Sequence, residues 1–299
     1  MQDLTLEKKL HYTLRIAVAM CFIGHGAFGI ITKPIWCNYF AVFGIGHDTA
    51  YRLMPILGAF DILAGIGVLI YPVRAMPAWL VFWGAVTALL RPLSGEPFAE
   101  FIERAGNFGA PLALLILTSG MPGGGRGEAE TRERASRAGG GATGSGEGRG
   151  QRGGLLQWLL TPLRPNGQVT KKTWTTLALC LRIVAFLLLA GHGWLNVIGK
   201  KGLLGQYTSI GITDPPRVAT LIGWLEVLGG IMALVRPWRP LLLILLVWKM
   251  ASELLYPHYE LFEWVERGGS YGVLLALCFM ADQQLQWVSS PPAKQGVPG

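Results

Sequence analysis

The residues of this 299-residue chain best suited to chemistry are two acids and two histidines set in apolar runs. Asp61 lies near the middle of one such run and Glu226 at the matching place in another. A charge at bilayer depth costs at least about 2.5 to 3.5 kcal/mol on insertion scales, so each acid needs a compensating partner. Each is flanked by glycines at i−3 and i+4, Gly58 and Gly65 around Asp61 and Gly223 and Gly230 around Glu226, which puts the acid and a small-residue groove on one helical face. That face is expected to pack on the helix carrying Gly24-His25-Gly26 or Gly191-His192-Gly193. A histidine paired with a carboxylate in a low-dielectric setting can hold a proton, turn an imidazole toward a ligand, or simply satisfy both groups and fix helix register. His25, Asp61, His192 and Glu226 are therefore the candidate catalytic residues.

A second set of polar residues could bind a substrate. Lys33 and Lys200 follow the histidines by eight residues at the outer helix ends, where they could bind an anion or anchor the helix. Two outer segments mix aromatics with acids, from Ser94 to Arg104 and from Pro257 to Arg267. They read as amphipathic stretches at the membrane surface, either capping a closed bundle or dipping inward with Glu103-Arg104 and Glu266-Arg267 at the rim of a pocket floored by the histidine and acid. Lys249 and Glu253 stand at i and i+4 in the second half alone, where the first half has Gly84 and Ala88. That difference points to the second half as the active one. Arg15 and Arg182 are expected to snorkel to the interface or to lipid phosphate.

Positioning these residues falls to membrane helices. With 51% hydrophobic and 15% charged residues, against about 25% charged in a typical soluble domain, the chain is suited to lipid. The reading is an all-α membrane protein of eight transmembrane helices, roughly residues 13–32, 52–70, 74–91, 106–119, 174–197, 217–235, 239–256 and 270–285. Pro34, Pro72, Pro92, Pro237 and Pro257 mark helix ends. The N-terminal stretch reads as a retained first helix, with no small-residue cleavage pattern. The cysteines, Cys21, Cys37, Cys180 and Cys278, imply no disulfide framework, zinc knuckle or covalent haem attachment, and no metal ligand is assigned.

An internal repeat organises the helices. Placing Leu14-Arg15-Ile16 on Leu181-Arg182-Ile183 superposes both Gly-His-Gly steps and Lys33 on Lys200. After a two-residue gap, Asp61 meets Glu226 and Trp83 meets Trp248, and near the last helices Glu103-Arg104 meets Glu266-Arg267. Four spans per copy bring both copies in and out on one face, so the two four-helix units are parallel. The expected division is a first unit over 1–121, a disordered Gly/Arg-rich linker over 122–170, a second unit over 171–288 and a flexible tail over 289–299. Leu155 to Leu160 reads as a short surface anchor. Basic residues of the linker and of the loops after the second and sixth spans place the N-terminus, linker and C-terminus in the cytoplasm. The net charge of +8 serves topology and lipid attraction, with no pattern suited to nucleic acid.

An arginine opening the first helix, Gly-His-Gly about ten residues on, a lysine eight residues after the histidine, and an acid followed by glycine in the second helix resemble the DoxX/DoxD-like membrane proteins. The resemblance covers nearly all of each half outside the linker. It implies a multi-pass protein of the bacterial inner membrane, with the DoxD branch tied to thiosulfate:quinone oxidoreductase activity and other members to membrane redox or thiol-stress complexes. The duplication and the exchange of Asp61 for Glu226 depart from that pattern. Two functions follow as expectations. In one, the protein is a quinone-linked redox component working with a redox partner protein, with the histidine on a ring oxygen and the acid handling its proton. In the other, it is a non-catalytic scaffold or small-solute carrier with its pathway between the units. A haem bridging His25 and His192 is a distant third.

Overall fold

The computed structural model describes residues 4–119, 158–165, 169–258 and 260–289. Every regular element among them is helical, save one isolated antiparallel bridge between Val73 and Pro162. The first unit comprises α1 (Leu6–Ile31), α2 (Trp36–Ala41), α3 (His47–Ile70), α4 (Ala75–Leu93), α5 (Ala99–Glu103) and α6 (Ala105–Ser119). The second comprises α7 (Lys171–Val197), α8 (Lys201–Ser209), α9 (Pro215–Val235), α10 (Arg239–Glu253), α11 (Glu260–Glu266) and α12 (Gly268–Ser289).

All eight expected apolar segments are helices, but α1, α3, α4, α7 and α9 are the five long and apolar enough to cross a membrane. Helix α6 and the apolar part of α12, Gly268–Ala281, are shorter. Each follows a short helix, α5 or α11. Helix α10 spans 15 residues and carries Arg239, Lys249 and Glu253.

Local chemistry sets the ends. Thr5 and Thr170 cap α1 and α7 by accepting from the backbone N–H groups of Lys8 and Thr173, at 3.4 and 3.2 Å. Asp214 does the same for α9, with Pro215 in the first turn. Helices α3 and α9 stop at Ile70 and Val235, just before Pro72 and Pro237. Pro92 does not end its helix: α4 runs through it to Leu93, so proline there is a final-turn residue and not a boundary. The Arg15 guanidinium donates to the carbonyls of Val68 and Leu69, capping the end of α3.

The units are interlocked, and each leans on its copy for its core. Helix α1 packs on α3 of its own unit and on α11 and α12 of the other, while α7 packs on α9 and on α5 and α6. The four central helices α1, α6, α7 and α12 share one buried cluster that includes Leu14, Leu114, Leu181 and Leu277. Helices α3, α4, α9 and α10 surround it and turn apolar side chains such as Leu63, Phe82, Leu221 and Ile244 outward, as lipid contact requires.

Glycine makes the interlock close. A Cβ on Gly24 would fall 2.6 Å from the Cα of Glu266, and one on Gly191 2.7 Å from the Cα of Glu103. Two residues on, Gly26 and Gly193 meet the backbones of Gly58 and Gly223 in their own units. The first glycine of each Gly-His-Gly step therefore admits the other unit, the second admits its own, and the histidine lies between.

The expected linker and the tail fall mostly outside the described residues, as does the first part of the Leu155 to Leu160 anchor. Its end is packed, not free. Leu163 N–H donates to Pro72 O at 2.8 Å, Arg74 N–H to Thr161 O at 3.1 Å, and the Leu163 side chain joins the core. Arg74 also donates to Thr118 O at 3.0 Å and lies over the Trp158 ring.

Overpacking a closed interior costs about 1 to 3 kcal/mol. Gly24→Val and Gly191→Val should each lower the thermal unfolding midpoint in detergent, whereas Gly205→Ala, with nothing within 4 Å of its Cβ position, should leave it unchanged or higher. Circular dichroism melting of the three variants checks this.

Candidate functional site

Each histidine meets the acid expected for it. His25 Nδ1 lies 2.7 Å from Asp61 Oδ2, and His192 Nδ1 lies 2.7 Å from Glu226 Oε2. The second oxygen of each acid accepts from an indole: Trp83 Nε1 donates to Asp61 Oδ1 at 2.8 Å, and Trp248 Nε1 to Glu226 Oε1 at 2.7 Å. With both oxygens bonded, a carboxylate can remain in an apolar helix packing. The repeat aligns Trp83 with Trp248 without assigning either to the site, though each follows its acid by 22 residues in both units.

Glu103, Arg104, Glu266 and Arg267, expected either to cap a closed bundle or to stand at a pocket rim, are buried, and several of the ion pairs among these acids and bases cross between units. Lys33 pairs with Glu263 at 2.6 Å, and its counterpart Lys200 pairs with Glu100. Arg104 Nη1 donates to Glu100 Oε2 at 2.7 Å and Glu103 Oε2 at 2.8 Å. Arg267 reaches Glu103 at 3.2 Å and Glu253 at 3.5 Å. Lys249 and Glu253 form the expected i, i+4 pair at 2.5 Å, with Glu103 3.9 Å from the same ammonium. Burial works to raise the Glu266 carboxyl, but Arg267, Arg104, His25 and Arg91 outweigh it and hold the group at about 2. Burial opposes ionisation of Glu103 too, and Arg267 and Arg104 carry it well below the usual range.

The two sites differ in what fills them. Beside His25 is a cavity of about 320 Å³. Its walls are mostly apolar, from Trp36, Phe40, Leu57, Val86 and Leu90, with polar groups from His25, Asp61, Arg91, Arg104, Asn107 and Glu266. Phe43 and Ile56, both 63% exposed, line its outward side, so it opens where α3 faces lipid. The Trp36 ring lies 4.7 Å from the His25 ring and tilted by 31°, which fixes the imidazole plane. With Nδ1 committed to Asp61, Nε2 is the ring atom left for a ligand.

Beside His192 the corresponding wall carries Lys249 and Glu253 in place of Gly84 and Ala88, and both side chains are fully buried. Asn196 and Tyr207 add a further link: Asn196 Nδ2 donates to Glu226 at 3.4 Å, and Tyr207 OH donates to Asn196 Oδ1 at 3.1 Å. The cavity beside His25 lies in the first unit, where Gly84 and Ala88 stand in place of Lys249 and Glu253.

Glu103, His192 and Glu253 bring ligand-type atoms within 4.8 Å of one another, the spacing of a metal site. Charge argues against a divalent ion there. Lys249, Arg267 and Arg104 already neutralise both carboxylates, and Lys249 sits where such an ion would bridge them.

Glu103 and Glu266 ionise more readily here than the ordinary value of 4.5, so the folded state is favoured above that pH and loses this contribution as pH falls toward about 2. The melting midpoint in detergent should be level from about pH 7 to pH 5 and fall steeply below about pH 4.5; a midpoint flat to pH 3 would contradict it. No protein-family model, curated protein or solved structure matches this chain.

Proposed function

We propose that the chain is a DoxX/DoxD-like multi-pass protein of the bacterial inner membrane and a quinone-linked redox component, with the quinone headgroup held at His25. The observation that carries this is the cavity of about 320 Å³, apolar on most sides, polar at one end and open on the lipid-facing side of α3. Small-molecule sites combine apolar walls with a few fixed polar groups in this way. A quinone has the same division, an apolar ring and tail with two carbonyl oxygens, and its solvent is the bilayer.

The residues have roles that follow from position. His25 Nε2 faces a ring oxygen as donor or acceptor, and Asp61 on Nδ1 stabilises the imidazolium that forms when the ring takes a proton. Trp83 keeps Asp61 from turning away. Asn107 and Arg104 supply further donors to developing oxygen charge. Reduction consumes two electrons and two protons, the electrons coming from a redox partner protein. Eight spans with N-terminus, linker and C-terminus cytoplasmic remain part of this reading, supported by the eight apolar helical segments and by the basic residues of the loops.

Protein in nanodiscs should retain one quinone per chain and bind added ubiquinone or menaquinone with quenching of tryptophan fluorescence. His25→Ala should weaken binding about tenfold or more, the scale of a lost hydrogen bond in a buried site, and Ala88→Phe should abolish it by filling the cavity. His192→Ala should leave affinity within about threefold. Equal binding by all three variants would rule the reading out.

A further inference from the structure

His192 is held on one side and open on the other. Its Nδ1 is fixed by Glu226, which Trp248 and Asn196 hold in turn. Its Nε2 is buried and has no hydrogen-bond partner among the described residues. The titratable groups next to it come from three directions: Glu103 on α5 of the first unit, Glu253 on α10, and Glu226 on α9. Lys249 and Arg267 are the cations set against those outer acids. The oxygens of Glu253 and the ammonium of Lys249 face each other as an ion pair without forming a hydrogen bond of good geometry. Buried polar atoms so placed suit a single water, which needs two to four polar partners.

We propose that His192 is a proton-exchange site linking the outer ionic cluster to Glu226 in the middle of α9. A proton that reaches Glu103 or Glu253 is held only in passing, because their cations favour the carboxylate, and it moves on through one water to Nε2 while the proton on Nδ1 moves to the Glu226 carboxylate. One proton arrives and one leaves. The imidazole keeps its charge and ends as the other tautomer, the outer acid ends as a carboxylate, and no electrons move; transfer in reverse resets the site. The track to the surface is polar throughout, since Glu103 shares Arg104 with Glu100, and Glu100 pairs with Lys200, which is 33% exposed. Beside His25 the polar neighbours are Arg91, Arg104, Asn107 and Glu266, and Gly84 and Ala88 stand where Lys249 and Glu253 would be, so that track has a different make-up. The step is independent of what the cavity at His25 binds.

Nitrogen-15 magnetic resonance on the full chain in nanodiscs, labelled at its five histidines, reads this directly, with His192→Gln assigning the signals. In the wild type, both ring nitrogens of His192 should show exchange of their protons with water. In the Glu103→Gln, Glu253→Gln double variant that exchange should slow at least tenfold, with the Nδ1 contact to Glu226 retained. If the double variant fails to assemble, Glu253→Gln alone should slow it about threefold. His25→Ala should leave it unaltered, so loss of quinone binding and loss of this exchange are separate results. A His192 held in one tautomer in the wild type, with exchange no faster than in the variants, would overturn the proposal.

Discussion

Each first helix carries its histidine between two glycines, and each glycine lets a different backbone approach to contact. Gly24 meets the end of α11 and Gly26 meets α3; Gly191 meets the end of α5 and Gly193 meets α9. Backbones that approach this closely leave the intervening imidazole little freedom, which is how a histidine and an acid 34 or 36 residues apart come to lie 2.7 Å from one another in both units. Small residues serve the same purpose generally in lipid, where close packing replaces the hydrophobic drive that holds soluble helices together.

From that constraint follows the exchange of outer segments. The short helix that caps each histidine belongs to the other unit and brings its acids with it, so the charges near the outer face must be neutralised across the boundary. Lys33 with Glu263 and Lys200 with Glu100 do so reciprocally. Arg267 with Glu103 is a fully buried pair across the same boundary, and breaking one member of such a pair is far more costly than never having the pair. Fusion of the copies then permits divergence. A glycine and an alanine on α4 leave a cavity at His25, and a lysine and a glutamate on α10 turn the other site into a buried ionic cluster.

Much of this was legible in the sequence. The repeat located both histidines and both acids, and glycines at i−3 and i+4 identified the packing face that α1 and α7 occupy. Helix ends next to Pro72 and Pro237 followed from the missing donor, whereas Pro92, in a final turn, did not end α4. What sequence could not give was ownership. A repeat aligns Glu103 with Glu266 but says nothing of which histidine either approaches, because an interlocked pair and two separate bundles have the same pattern. Helices α2 and α8 were missed because each is shorter than the periodicity needed to recognise it. Lys249 and Glu253 stand out in the sequence because charge in a span does, while the residues that make room beside His25, Gly84 and Ala88, do not.

The central claim, that each site is built from both units, is tested most directly by thiol cross-linking. With the native cysteines replaced by alanine, Lys33→Cys combined with Glu263→Cys, and Lys200→Cys combined with Glu100→Cys, should be joined within one chain by a short bifunctional reagent, since the native side chains form ion pairs. The within-unit combinations, Lys33→Cys with Glu100→Cys and Lys200→Cys with Glu263→Cys, should react poorly. Efficient cross-linking of the within-unit pairs, with none across the units, would contradict the interlocked arrangement and the sites built on it.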